Sequence, residues 1–224
     1  MSLKKTLLFI AFILIVDQIS KVYIKTNFML SESEYVFDWF HIHFVENDGM
    51  AWGTKISDFV SFISDRTAKL ILTLFRIVAV TGIGFWLHRS IKNKQSKTLI
   101  IAVALIFAGA LGNIIDSMFY GVLFGESYLT VAKFLPVEGG YDSLFHGKVV
   151  DMFYFPIWSG VLPEWIPFFG GKIFSFFDPV FNVADVAIST GIGILLFFNK
   201  KIFSKTDKDL KTDVMSEELH NNLV

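Results

Sequence analysis

The stretch TLIIAVALIFAGALGNIIDSM, residues 98–118, decides the fold: its first eighteen residues are apolar or small apart from Thr98 and Asn113, and an acid, Asp116, stands near the end. About 20 mostly apolar residues cross the hydrocarbon of a bilayer, and three further stretches have that character, roughly 7–24, 68–87 and 180–198. Two of these also hold an acid near one end, Asp17 and Asp185, while Asp151 lies in the loop before the last. Carboxylates in such segments are costly and normally face a bundle interior or a water-filled cavity, which makes them candidates for function.

The composition agrees. In 224 residues, 53% are hydrophobic and 26 are phenylalanine, too apolar for a soluble domain and short enough for one unit. Cysteine is absent, which excludes a thiol nucleophile, a disulfide framework and a cysteine-ligated metal. The first apolar run follows Lys4 and Lys5 but continues into Asp17 and Lys21 without a small-residue cleavage site, so it reads as a retained span and not a removed leader.

Charge sets the orientation. The connection 88–97 carries Arg89, Lys92, Lys94 and Lys97 with no acid, and both chain ends are lysine-rich beside their spans. By the positive-inside rule these parts are cytoplasmic. The connection after the first run, with Glu32, Glu34, Asp38, Glu46, Asp48, Asp58 and Asp65, and the acid-rich one at 119–179 then lie outside. All the intramembrane acids therefore share the outer face. The expected fold is a membrane all-α protein of four transmembrane helices with a small extracytoplasmic β-sheet in about 35–56 and an irregular loop or helix at the membrane surface. Residues 1–203 form one domain and 204–224 a polar cytoplasmic tail.

The sheet is expected because the stretch Tyr35 to Val45 alternates, with Phe40, Ile42 and Phe44 on one face and His41 and His43 on the other. The two histidines share a face and are candidate metal ligands, but no third ligand is identifiable by spacing and a solvated face is the simpler reading. The stretch between Phe155 and Phe181, rich in Trp, Phe and Pro, has the composition of an irregular segment at headgroup level. Glycines 82, 84, 191 and 193 read as close helix-packing positions.

For chemistry, Asn182 and Asp185 stand three apart at a helix start and share one face. Asp151 follows Val149 and Val150, an extended segment that delivers it toward the membrane surface. Two acids that meet cannot easily ionise together, so one keeps a proton while the other acts as base, which activates water without a metal. Composition alone also allows two unrelated acids, one capping the last span and one solvated.

Taken in order, the blocks Asp17-Gln18-Ile19-Ser20-Lys21, Asn47-Asp48-Gly49-Met50-Ala51-Trp52-Gly53, Gly109-Ala110-Leu111-Gly112-Asn113-Ile114-Ile115-Asp116, Val149-Val150-Asp151-Met152-Phe153 and Phe181-Asn182-Val183-Ala184-Asp185 resemble the signature of lipoprotein signal peptidase, the type II signal peptidase. The resemblance implies a bacterial inner-membrane aspartyl protease that cleaves diacylglyceryl-modified prolipoproteins before the lipidated cysteine. It implies Asp151 and Asp185 as the catalytic pair. Asp17, Lys21, Asn47, Gly49, Asn113, Asp116 and Asn182 are implied as residues that shape the site or hold substrate. It further implies a monomer with no cofactor, metal or nucleic acid, in contact with membrane lipid and inhibited by cyclic peptide antibiotics. The alternative class is an ion-coupled transporter or lipid-binding protein, whose usual paired halves and broken helices are lacking here.

The chain departs from the family at Ser117, where an arginine usually stands, and Arg76 in the second span is a candidate to supply the missing cation or to pair with an acid such as Asp17. Asp48 and Trp52 replace a usual threonine and phenylalanine. The loops 120–147 and 157–178 are longer than the family's.

Overall fold

The computed structural model describes residues 1–48, 64–176 and 178–199. Gly49 and the rest of 49–63, with the tail after Asn199, lie outside the described residues, so the readings placed there stay as expectations.

Four long segments become helices: α1 (Leu3–Asn27), α2 (Asp65–Lys92), α3 (Lys97–Ile115) and α4 (Val183–Phe197). Each starts where the sequence supplies a cap. The side chains of Ser2, Ser64, Ser96 and Asn182 accept hydrogen bonds from backbone amides three residues on, satisfying donors that a helix start leaves open. α3 runs into a π turn at Asp116–Tyr120 and a last short turn at Gly121–Leu123, 27 residues in all. At 1.5 Å per residue, α1, α2 and the extended α3 reach about 37–42 Å, enough to cross a bilayer. α4 has 15 residues, about 22 Å, so among the described residues three helices and not four are long and apolar enough by themselves.

α3 is the most buried of the three and forms the centre. Its Leu99, Ile100, Val103, Ala104 and Ala108 pack against Ile10 and Ile13 of α1, Leu87 of α2 and Ala187 of α4. Small residues permit this approach. A methyl added at Gly112 would lie 2.6 Å from Asp17 Oδ2, and one at Gly191 would lie 2.6 Å from the carbonyl oxygen of Ala102. The opposite surfaces of α1 and α2 remain apolar and bare, with Phe12, Ile19, Phe75, Val78 and Phe85 well exposed, as lipid-facing residues are. Gly191 is thus a packing glycine, and a methyl added at Gly84 would meet the Phe107 ring at 3.1 Å. Gly82 and Gly193, expected to pack, face open space.

The expected sheet exists, with one strand more than the alternating stretch announced. That stretch folds into a hairpin, β1 (Ser33–Phe37) and β2 (Phe40–Asn47), and β3 (Val149–Tyr154) adds to β2 in the antiparallel order β1-β2-β3. Strand alternation sends Val150 and Met152 into a second core with Ile24, Phe28, Phe44, Tyr120 and Phe124, and turns Asp151 to the opposite face. The loop 120–147 closes this core through Phe124 and Ala132. The aromatic segment expected to be irregular holds regular structure in part: β4 (Trp158–Val161) and β5 (Ile173–Phe176) form a separate antiparallel hairpin, because backbone groups in an extended segment satisfy one another best by pairing. Its Trp158, Trp165, Phe168 and Phe169 are exposed.

The close approach of α1 to α3 yields a paired prediction. Gly112→Ala forces a methyl onto a buried carboxylate and lowers stability by about 1–3 kcal/mol, whereas Gly82→Ala meets nothing and costs none. Thermal unfolding of both variants in detergent checks this; equal midpoints would contradict the packing.

Candidate active site

Asp151 reaches the helix ends because β3 is fastened at both sides. Its residues Val149, Val150 and Asp151 pair with Asn47, Glu46 and Val45 of β2. Beyond the pair, Phe153 and Phe181 exchange backbone hydrogen bonds of 2.8 and 3.1 Å. That bridge sets the first turn of α4 beside β3, so residues 151 and 185, distant in sequence, share one site.

Asn182 joins them. Its side chain Nδ2 donates to Asp151 Oδ1 at 2.6 Å and its backbone amide donates to Asp185 Oδ2 at 3.2 Å, while its Oδ1 accepts from the Asp185 amide at 3.0 Å. The last two bonds form a capping box, the local reason that an Asn-x-x-Asp stretch starts a helix here. Asn47 Nδ2 donates to the other oxygen of Asp151 at 3.1 Å. Asn113 Nδ2 donates to Asp185 Oδ1 at 2.9 Å. Each carboxylate thus accepts two hydrogen bonds, from different elements.

Behind the pair lies a buried ionic cluster. Lys21 Nζ stands 3.0 Å from Asp17 Oδ2, 2.8 Å from Asp116 Oδ2 and 2.8 Å from Asn113 Oδ1, with all four side chains at the junction of α1 and α3. The acids also hold backbone. Asp17 Oδ1 accepts from the amide of Ala184 at 2.9 Å, and Asp116 Oδ2 accepts from the amide of Val150 at 3.3 Å. These are the residues immediately before Asp185 and Asp151.

Every sequence-predicted site residue among the described ones therefore meets in one cluster, with Gly49 outside them. Three contributors were missed. Gln18 Nε2 bridges Asp17 and Asp116 at 3.1 and 2.9 Å, and Tyr120 donates to Gln18 Oε1 at 3.1 Å. The signal for Gln18 was its place beside Asp17 in the first block; nothing marked Tyr120. Glu46 is the third, nearly inaccessible and bonded to Lys25, Ser127 and Lys148, which clamps β2 and the loop 120–147 to the end of α1. Burial alone would push the Glu46 carboxyl up, but Lys25 and Lys148 outweigh it and hold it below its ordinary value. His41 and His43 lie against the Tyr154 ring, with Ser33 hydrogen-bonded to His43. Among the described residues no three His, Asp or Glu side chains converge as metal ligands.

The pair is chemically unequal. Asp151 is 2% exposed, and burial, with the charge of Asp185 next, pushes its carboxyl up to about 7 against the hydrogen bonds of Asn47 and Asn182. Asp185 is half-buried and sits in the first turn of α4, where the helix end favours negative charge.

These features define a multi-pass membrane protein with a carboxylate pair held between a sheet and its helix ends. The model of the family described as Signal peptidase (SPase) II matches residues 9–200. The lipoprotein signal peptidase of Porphyromonas gingivalis is 48% identical over 189 residues, 84% of this chain and 79% of that one. That of Amoebophilus asiaticus is 34% identical over 211 residues, 92% and 82%. A bacterial membrane enzyme solved by the in meso method shares the fold, with a TM-score of 0.55 at 23% identity over 91% of this chain and 92% of that one. The chain belongs to the signal peptidase II family, the lipoprotein signal peptidases, proteases that remove the signal peptide from prolipoproteins. The transporter alternative is thereby set aside.

The raised Asp151 carboxyl has a consequence for stability. Its ordinary value is 3.8, so between about pH 4 and pH 7 the folded chain holds a proton that the unfolded chain has released, and this group's contribution to stability falls as pH rises through that window. In Asp151→Asn the contribution is gone. The loss of unfolding midpoint between pH 5 and pH 8 is then smaller than in the wild type by at least about 3 °C; an equal loss would contradict a protonated Asp151.

Proposed function

We propose that Asp151 and Asp185 are the catalytic pair and that they cleave the peptide bond before a diacylglyceryl-modified cysteine. The observation that carries this reading is Asn182, whose side chain and backbone bind one carboxylate each and so hold the two together. Asp185, with two donors and a helix end in support, is the base; Asp151, buried and raised, is the acid.

In the first step Asp185 takes a proton from water as its oxygen bonds to the scissile carbonyl carbon, and Asp151 gives its proton to the carbonyl oxygen. In the second, the tetrahedral diol returns a hydroxyl proton to Asp151 while Asp185 delivers its proton to the leaving amine. The C–N bond breaks and the pair regains its starting state. No covalent intermediate and no metal enters these steps.

The remaining expectations fit this chemistry. Residues 1–203 form one membrane domain, with α4 as a fourth span extended by its flanking residues and 204–224 as a cytoplasmic tail. Both termini lie inside and the sheet lies outside, so that the aspartates meet substrates exported across the membrane. The acyl chains reach the site from lipid between helices, and the aromatic hairpin β4–β5 rests at headgroup level. The enzyme works as a monomer without a cofactor, and cyclic peptide antibiotics that inhibit the family bind at the aspartates.

A gel-shift cleavage assay on a diacylated prolipoprotein tests the assignment. Asp151→Asn and Asp185→Asn each lower the rate by at least about 10³-fold, of the order by which acid–base groups accelerate such reactions. The wild-type rate declines on the alkaline side with a midpoint near 7, as Asp151 loses its proton. Near wild-type processing by either variant would end the proposal.

A further inference from the structure

A cation in the middle of an apolar helix is costly unless it faces a polar interior, and α2 carries one, Arg76. The α2 stripe above it is committed to the loops. Arg66 pairs with Asp142 at 3.0 Å, Lys69 pairs with Asp48 at 2.7 Å, and Thr73 donates to the carbonyl of Phe145 at 3.1 Å. Arg76, three residues further on the same side, points into the site. Its Nη1 donates to Ser117 Oγ at 3.4 Å, and that hydroxyl donates to the carbonyl of Asn113 at 2.9 Å. Asn113 in turn donates to Asp185. The acids that interact with the guanidinium are Asp185 foremost, then Asp151 and Asp116.

We propose that Arg76 is a positioning residue that holds Asp185 as the carboxylate, standing in from α2 for the arginine that the family usually carries at position 117. The other charged groups around Asp185 come from three elements. α1 contributes Lys21 and Asp17, α3 contributes Asp116, and β3 contributes Asp151. The Lys21 ammonium lies within 3.0 Å of both Asp17 and Asp116, so its charge is largely compensated there. Arg76 approaches from the remaining side, over a buried serine that leaves room where a long side chain would stand. The inference rests on the reading that Asp185 is the base.

The test is the pH–rate profile for cleavage of a diacylated prolipoprotein by the full-length protein in detergent. In Arg76→Gln the acidic limb moves up by about one pH unit, as expected when an opposite charge near a carboxylate is removed. At pH values below the limb the rate then falls about 10-fold. Arg76→Lys keeps the limb in place, and Ser117→Arg added to Arg76→Gln brings it back. A limb that does not move in Arg76→Gln, with any uniform loss of rate, overturns the proposal as a merely structural role would. A moved limb that Ser117→Arg leaves unrestored overturns the substitution for position 117. Asp185→Asn run alongside separates the two levels, since wild-type activity in that variant removes the base itself.

Discussion

One ammonium group organises the site. Lys21 is fully buried between Asp17 and Asp116, at 3.0 and 2.8 Å, and each of these acids also accepts a backbone amide from the element that carries one of the two proposed catalytic aspartates. Asp17 fixes the first turn of α4 and Asp116 fixes β3. Two carboxylates this close in an apolar interior would repel, and the cation between them removes that cost. Taking away one partner of such a buried cluster costs about 3–5 kcal/mol, because the remaining charges lose their compensation. The glycine at 112 belongs to the same arrangement, since only a residue without a side chain lets Asp17 lie against α3.

From this constraint the asymmetry of the pair follows. β3 places Asp151 under the sheet, away from water, and this burial favours its protonated form over the opposing pull of the Asn47 and Asn182 amide donors. α4 places Asp185 at a helix start, partly open, with a backbone amide and the Asn113 amide directed at it. The same Asn182 serves both acids, so their separation is set by one side chain and one capping box. Two carboxyl groups of identical chemistry are thus given different surroundings, one by burial and the other by the end of a helix.

Much of this was legible in the sequence because the pattern is physical. Apolar runs of membrane length gave α1, α2 and α3 to within a few residues, and the acids at their ends marked the site. The alternation from Tyr35 to Val45 gave the sheet, but not the turn at Asp38–Trp39 that splits it or the third strand, since β3 pairs with a segment about a hundred residues away. The Phe153–Phe181 bridge, which brings the two aspartates together, rests on backbone bonds that leave no mark on residue type. The stretch between Phe155 and Phe181 misled in part for a related reason: prolines and aromatics suggested irregularity, whereas β4 and β5 pair between the prolines. Lys25 and Glu46 form a buried pair 21 residues apart, and no spacing rule distinguishes them from the solvated charges nearby.

The central claim is that Lys21, through Asp17 and Asp116, holds the two aspartate-bearing elements at once. Hydrogen exchange at the amides of Ala184 and Val150, in wild type and in Lys21→Met, tests it most directly. The account predicts that both amides lose protection together in the variant while the β1–β2 hairpin amides keep theirs. Unchanged protection at both, or loss at only one, would contradict it.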